Sequence, residues 1–199
     1  MLGYRKIIIL NGGGIVAHAY EGCNVYNCIN TGDINNKGYT CAGIVGRIQR
    51  VSATVKDCYN IGDITSTRES GGIVGFVNLN TGVVTVNIQN CYNTGTLVSN
   101  TNKGGVVGNY TNTSGSTFNI SNNSWISGCG ATYGIAKANK NTGCTKFTSS
   151  LDYTLLGDAY IADGKIKDKN GEWVDNKDVD GNIIYINGGY PILKWQIEQ

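Results

Sequence analysis

Asp33 and Asp63 follow the same Gly in two copies of a Gly-Asp-Ile element, so a fold that stacks its copies would set two carboxylates one step apart. Paired carboxylates are what glycosidases use. The next residue in that column is Thr96, however, and a solvated turn accounts for all three positions. Asn176-Lys177-Asp178-Val179-Asp180-Gly181 opens like an oxygen-ligand calcium loop, but Asn187 stands where a bidentate Glu is expected, so the segment reads as a turn. Gly128-Cys129-Gly130 with Gly134 imitates part of a nucleotide-binding loop and lacks the strand, helix and distal acid of one. His18 is the sole imidazole, and neither HExxH nor GxSxG occurs, so Ser-His or Cys-His chemistry would rest on a single residue expected to be exposed near the start of the fold. These patterns specify no catalytic set, metal site or cofactor.

Seven cysteines cannot all pair within one chain, no two form a CxxC, and one His leaves little for a zinc site. Cys28, Cys58 and Cys91 recur in equivalent positions, which favours small buried hydrophobes, their thiol pKa raised by apolar surroundings. Tyr59 and Tyr92 share a neighbouring column with Trp125 close to it, and Tyr110 lies in a lengthened segment. Displayed on a rigid sheet these rings would suit sugars or protein partners. Packed on one another they would simply stabilise the sheet.

The elements that must position these residues are short and repeated. Glycine is abundant (29 residues), proline nearly absent (1), and the Glu, Lys, Ala and Leu that helix surfaces need are scarce beside Asn, Thr and Ser. A Gly-rich motif appears as Gly13-Gly14-Ile15-Val16, Ala42-Gly43-Ile44-Val45-Gly46, Gly71-Gly72-Ile73-Val74-Gly75 and Gly104-Gly105-Val106-Val107-Gly108, with a worn copy at Tyr133-Gly134-Ile135-Ala136. Between these run Val25-Tyr26-Asn27-Cys28-Ile29-Asn30-Thr31-Gly32-Asp33-Ile34, Val55-Lys56-Asp57-Cys58-Tyr59-Asn60-Ile61-Gly62-Asp63-Ile64 and Ile88-Gln89-Asn90-Cys91-Tyr92-Asn93-Thr94-Gly95-Thr96-Leu97, then a fourth copy that keeps an aromatic at Trp125 and a glycine at Gly128. Self-similarity at roughly thirty residues marks stacked supersecondary units.

Each unit offers β-branched segments bounded by Gly and Asn and no sustained helical period. The expected fold is therefore all-β: a parallel β-solenoid of four to five units, right-handed by the usual sense of parallel crossovers. Equivalent residues then stack about 4.8 Å apart. The expected core ladders are Ile15, Ile44, Ile73 and Val106; Cys28, Cys58 and Cys91; and Ile34, Ile64 and Leu97. Asn30, Asn60 and Asn93 are expected to hydrogen-bond along their column, and the Asn-Thr-Gly and Asn-Ile-Gly corners to use the positive φ that Gly adopts freely. Extra residues fall around Val77 to Asn87 and Asn109 to Asn119, on one side of the repeat, where binding surfaces of solenoids often lie.

The Gly-Gly-Ile-Val-Gly and Asn-Cys-Tyr-Asn-Thr-Gly elements resemble GLUG-motif repeats, which occur in bacterial cell-surface proteins and in non-catalytic regions of secreted immunoglobulin A proteases. The resemblance spans about Gly13 to Gly134 and implies an exported, β-helical, multi-repeat protein. It divides the chain into a lead-in or first-rung cap (1–12), the repeats (13–144) and a charged C-terminal capping segment (145–199), the last resembling the segment that often closes such arrays. Leu155, Leu156, Trp173, Pro191, Leu193 and Trp195 are bulky enough to cover the last rung.

The formal charge of +2, with clustering only at Arg47 to Arg50 and Lys165 to Lys169, argues against nucleic acid, and no apolar run reaches the roughly 20 residues a bilayer requires. Three functions fit the sequence, in this order: a non-enzymatic extracellular or cell-surface recognition module for host or cell-wall glycans or proteins, a passive stalk or spacer, and a β-helical glycan-active enzyme.

Overall fold

The computed structural model describes residues 11–198, which fall into two compact units divided between Lys146 and Phe147. The lead-in expected over 1–12 lies outside the described residues except for Asn11 and Gly12.

The first unit is a parallel β-solenoid of about four turns. Turn one comprises β1 (Asn11–Gly13), β2 (Val16–Ala19), β3 (Cys23–Tyr26), β4 (Ile29–Asn30) and β5 (Ile34–Asn35). The second repeats this as β6 (Thr40–Ala42), β7 (Val45–Gln49), β8 (Ala53–Lys56), β9 (Tyr59–Asn60) and β10 (Ile64–Thr65). Turn three has β11 (Glu69–Gly71), β12 (Val74–Leu79), β13 (Thr85–Gln89), β14 (Tyr92–Asn93) and β15 (Leu97–Val98). In the fourth, the first two strands fuse into β16 (Asn102–Asn112), followed by β17 (Thr117–Ser121) and β18 (Asn123–Ile126). β19 (Tyr133–Ile135) and β20 (Cys144–Phe147) add partial further pairings to β16 and β18. Like strands of successive turns pair to give four sheets, ordered β1-β6-β11-β16-β12-β7-β2, β3-β8-β13-β17, β4-β9-β14-β18-β20 and β5-β10-β15.

Stacking in register gives the expected columns. Ile44, Ile73 and Val106 are wholly buried, as are Cys58, Cys91 and Ile64, with Leu97 nearly so. Residues of the first turn are less covered: Cys28 and Ile34 are half-buried, and Ile15 is 45% exposed, so its column is a core ladder only from Ile44 onward. The Ile15 amide still bonds the Ile44 carbonyl (3.1 Å), but only one side of Ile15 is covered by a described turn. The worn copy also departs from expectation. Tyr133 pairs with Gly104 while Ile135, not Ala136, pairs with Val107, because the shortened segment bulges.

A second spine is polar. Asn30 Nδ2 donates to Asn60 Oδ1 and Asn60 Nδ2 to Asn93 Oδ1, both at 2.7 Å. Each carboxamide also donates to a glycine carbonyl two residues on, Gly32, Gly62 and Gly95, at 2.8, 2.8 and 2.9 Å. Asn60 and Asn93 are inaccessible to solvent, so these bonds satisfy groups that burial would otherwise penalise.

The glycines serve this spine by lacking a Cβ, not by adopting positive φ. A Cβ on Gly43 would stand 2.3 Å from the Asn60 side chain, and one on Gly72 would stand 2.2 Å from the Gly105 carbonyl oxygen and 2.5 Å from the Asn93 side chain. A Cβ on Gly95 would lie 2.0 Å from the Gly62 oxygen. The left-handed corner instead falls one residue before each cysteine position, at Asn27, Asp57, Asn90 and Asn122, with φ of 54°, 54°, 56° and 55°. Asn and Asp tolerate that conformation with little strain.

In the second unit β21 (Tyr160–Ile161) pairs antiparallel with β24 (Ile192–Leu193), and β22 (Lys165–Lys167) with β23 (Trp173–Asp175). Leu156, Pro191 and Leu193 are buried, whereas Leu155 and Trp195 are exposed. The buried Asp163 carboxylate accepts amide hydrogens from Gly164, Ile186, Asn187 and Gly189 at 2.7–3.0 Å and so gathers a chain segment otherwise poor in regular structure.

Two outcomes follow. Asn60→Ala removes the centre of the polar spine and strands donors and acceptors on both neighbours, so chemical denaturation should show a loss of about 2–4 kcal/mol, against about 0.5 kcal/mol or less for Asn35→Ala on the exposed side of β5. In native alkylation followed by mass spectrometry, Cys58 and Cys91 should stay unmodified while the half-buried Cys23 and Cys28 label first.

Candidate recognition crease

Strand alternation decides which face each side chain takes. In the β2, β7, β12 and β16 column set, Ala19, Ile48, Val77 and Tyr110 are in register and pack in or against the core. The preceding residues His18, Arg47, Phe76 and Asn109 therefore point outward. On the other arm of the same sheet, Cys41 is in the core, so Thr40 and its register partners Asn11 and Glu69 also face outward. These two outer columns meet. Thr40 Oγ1 donates to Glu69 Oε2 (3.0 Å) and Asn109 Nδ2 donates to Glu69 Oε1 (3.1 Å), joining one arm to the other.

The closing glycine of each motif permits this approach. A Cβ on Gly75 would stand 2.5 Å from both the Gly46 oxygen and the Thr40 Cγ2, and one on Gly108 would stand 2.7 Å from the Ser70 oxygen. The two arms thus form a crease on the outer surface, running across the turns.

Arg47 lies with its guanidinium carbon 4.9 Å from the centre of the Phe76 ring. Burial, then the nearby Arg50 charge, lowers its pKa, while Glu69 opposes the shift. His18 is half-buried, contrary to the exposed position expected from sequence, because Tyr20 packs edge-on at 5.1 Å and Arg47 stands in the next turn. Its pKa is lowered, first by burial and then by the Arg47 charge, with a Gln49 hydrogen bond acting in the opposite sense. At the rim Arg68 stacks 5.3 Å from the centre of the Tyr39 ring, and its Nη2 lies 3.9 Å from Glu69 Oε1. Tyr20 and Tyr39 are 64% and 50% exposed and offer free ring surface.

Most polar columns elsewhere on the solenoid pair with themselves. Asn119 bonds Asn87 (2.9 Å), Asn122 bonds Asn90 (3.2 Å) and Asn90 bonds Asp57 (2.8 Å). The Asp33 carboxylate accepts the Asp63 amide (2.9 Å) and that of Asp63 accepts the Thr96 amide (2.7 Å), which gives both acids a structural role between turns. The crease differs. Of the six buried side-chain polar atoms without a hydrogen-bond partner among the described residues, five lie on this sheet: Asn11 Oδ1, His18 Nε2, Arg47 Nε, Asn109 Oδ1 and Thr111 Oγ1. Orphaned buried groups carry a cost of about 1–3 kcal/mol each, and they tend to occur where function outweighs stability.

Of the two roles the sequence leaves open for the aromatic residues, display to a ligand or packing on one another, the structure shows packing. Tyr59 and Tyr92 stack at 4.8 Å with 11° between their planes, and both are buried. Trp125 is fully buried and pairs with Asn93, not Tyr92, so it ends the asparagine spine instead of continuing the tyrosine column. The one-residue offset arises because Asn123 takes the cysteine position, its Oδ1 accepting the Cys91 amide at 3.0 Å. Tyr110 points inward and stacks on Phe118 at 4.5 Å. Above that pair the lengthened loops close on one another, Ser116 accepting the Val84 amide and donating to the Gly82 carbonyl, both at 3.1 Å.

Among the turn-like segments, Asp178 Oδ1 accepts the amides of Asp180 and Asn182, each at 2.9 Å, as a hairpin turn requires. The glycine-rich Gly128-Cys129-Gly130 closes the fourth turn, the Cys129 carbonyl accepting the Leu97 amide at 2.6 Å.

No protein-family model, no curated protein and no solved structure matches the chain. The class defined by its fold is the parallel β-solenoid, and the crease is its candidate site.

A His whose pKa is lowered on folding stays neutral until the pH falls below its ordinary value. The C2 proton of His18, the only histidine, should therefore titrate below pH 6.5 in NMR. Arg47→Gln removes the second cause and should move the midpoint upward, though burial keeps it short of the unfolded value.

Proposed function

We propose that the chain is a non-enzymatic recognition module of an extracellular or cell-surface protein, and that the crease of the glycine-corner sheet receives a glycan or protein ligand. What carries the reading is the composition and state of that crease. Three aromatic rings (Tyr20, Tyr39, Phe76), two guanidiniums held against aromatic faces and a set of orphaned buried donors and acceptors converge on one rigid sheet. Tyr and Arg anchors of this kind dominate binding energy at recognition surfaces. Sheets position such side chains with little flexibility, which lowers the ordering cost of binding.

The location is supported by the resemblance of the repeat motifs to GLUG repeats of bacterial surface proteins. A stalk or spacer role is the second reading, favoured by the continuous Asn30-Asn60-Asn93 spine, which ties successive turns into a stiff body.

The test is a glycan array, supplemented by immobilised matrix proteins, probed with the purified chain and with Tyr20→Ala/Tyr39→Ala. A ligand whose affinity falls about tenfold or more in the double variant, at unchanged denaturation midpoint, supports recognition. No ligand on either surface transfers the case to the spacer, and turnover of any arrayed carbohydrate would overturn the non-enzymatic part.

A further inference from the structure

Three of the four arginines in the chain, Arg47, Arg50 and Arg68, border the crease, although the whole molecule carries a formal charge of only +2. Glu69 is the carboxylate between the two columns, and its oxygens are occupied by the Thr40 hydroxyl and the Asn109 carboxamide. The Arg68 guanidinium stays 3.9 Å away, beyond hydrogen-bond reach. Arg47 Nε is buried with no partner, which leaves unused the edge of the guanidinium that pairs side-on with a planar acid. Asn109 is 3% exposed and its Oδ1 has no donor, while Asn11 Oδ1 and Thr111 Oγ1 are likewise unfilled.

We infer that the crease binds an acidic polysaccharide, a sugar chain bearing carboxylate or sulfate groups, with the acid taken by Arg47 and Arg68 and sugar hydroxyls taken by the orphaned acceptors. The inference rests on the recognition reading above and specifies its ligand. An anion alone would satisfy the guanidiniums and leave Asn109 Oδ1 and Asn11 Oδ1 orphaned, because those atoms need donors. Sugar hydroxyls donate and accept at once, so an acidic sugar answers both demands. The rings of Tyr20, Tyr39 and Phe76 supply the flat apolar surfaces on which sugar faces pack. Clustering of positive charge on one side of the sheet also explains how a nearly neutral molecule would select a polyanion without affinity spread over its whole surface.

The experiment uses one backbone in three forms, neutral dextran, carboxymethyl-dextran and dextran sulfate, with poly-glutamate as an acidic peptide control, in calorimetry or surface plasmon resonance at fixed ionic strength. Proteins compared are the full chain, Arg47→Lys, Arg68→Gln and Lys146→Gln, the last an exposed lysine outside the crease. Expected is binding of at least one charged dextran about tenfold or more tighter than neutral dextran, the better of the two identifying carboxylate or sulfate. Arg47→Lys keeps the charge but loses the fork, and should weaken that binding about tenfold. Arg68→Gln should weaken it too, and because that side chain is 57% exposed its folding is secure even if Arg47→Lys is destabilised. Lys146→Gln should have no effect.

Equal binding of neutral dextran overturns the acidic specificity while leaving recognition intact. Poly-glutamate bound as tightly as the charged dextrans, or an equal loss in Lys146→Gln and Arg47→Lys, overturns the sugar and the site respectively. Failure of every dextran to bind also overturns the inference, whereas the recognition reading then stands or falls on the array.

Discussion

Exact in-register stacking is the constraint from which the rest of this structure follows. When each turn lies directly above the last, a polar group buried at one position meets its own kind in the next turn, so only residues able to both donate and accept can occupy such a column. Asparagine meets that demand, since its Nδ2 supplies one hydrogen to the next carboxamide and one to its own turn, while Oδ1 accepts from the turn before. The carboxamide fills the space that a Cβ on the facing glycine would need, so the Gly-Gly motif and the Asn spine are two halves of one packing solution. Breaking either leaves amide groups desolvated without partners, which costs more than the bonds themselves contribute.

That solution also determines where recognition can occur. Inward columns can vary in size and stay satisfied because their side chains are mostly apolar, as Ala19, Ile48, Val77 and Tyr110 show, and several outer polar columns pair along the stack. In His18, Arg47, Phe76 and Asn109 the four residues of one column are all different, and the column facing it, Asn11, Thr40, Glu69 and Asn102, carries three residue types. Neither column can satisfy itself by copying, which is why orphaned atoms gather between them.

Much of the architecture is legible in the sequence because period, residue type and register are the same information in a solenoid. Cys58 and Cys91, Ile64 and Leu97, and the Asn spine fall where the repeat places them. The glycines are less legible: a corner glycine suggests positive φ, yet close backbone approach demands glycine just as strictly, and the two demands look alike in sequence. Trp125 misleads for a related reason, since a single offset in a strand moves a side chain to the other column, and an aromatic near an aromatic column looks like its continuation. Tyr59 and Tyr92 show that a stacked pair reveals its column but not its exposure. The crease has a sequence signal in His18, Arg47, Phe76 and Asn109, an outward polar and aromatic column in which the copies all disagree; it is legible only once stacking is accepted and the exception to repetition is given weight.

The in-register polar spine is open to direct measurement by side-chain hydrogen exchange in NMR. The account predicts that the carboxamide protons of Asn30, Asn60 and Asn93 exchange among the slowest in the molecule, orders of magnitude behind those of the exposed Asn80, and that Asn60 shows correlations to both neighbours in its column. Carboxamides of Asn60 and Asn93 exchanging as fast as that of Asn80, with no contact between successive turns, would contradict the stacking on which the fold and the crease both depend.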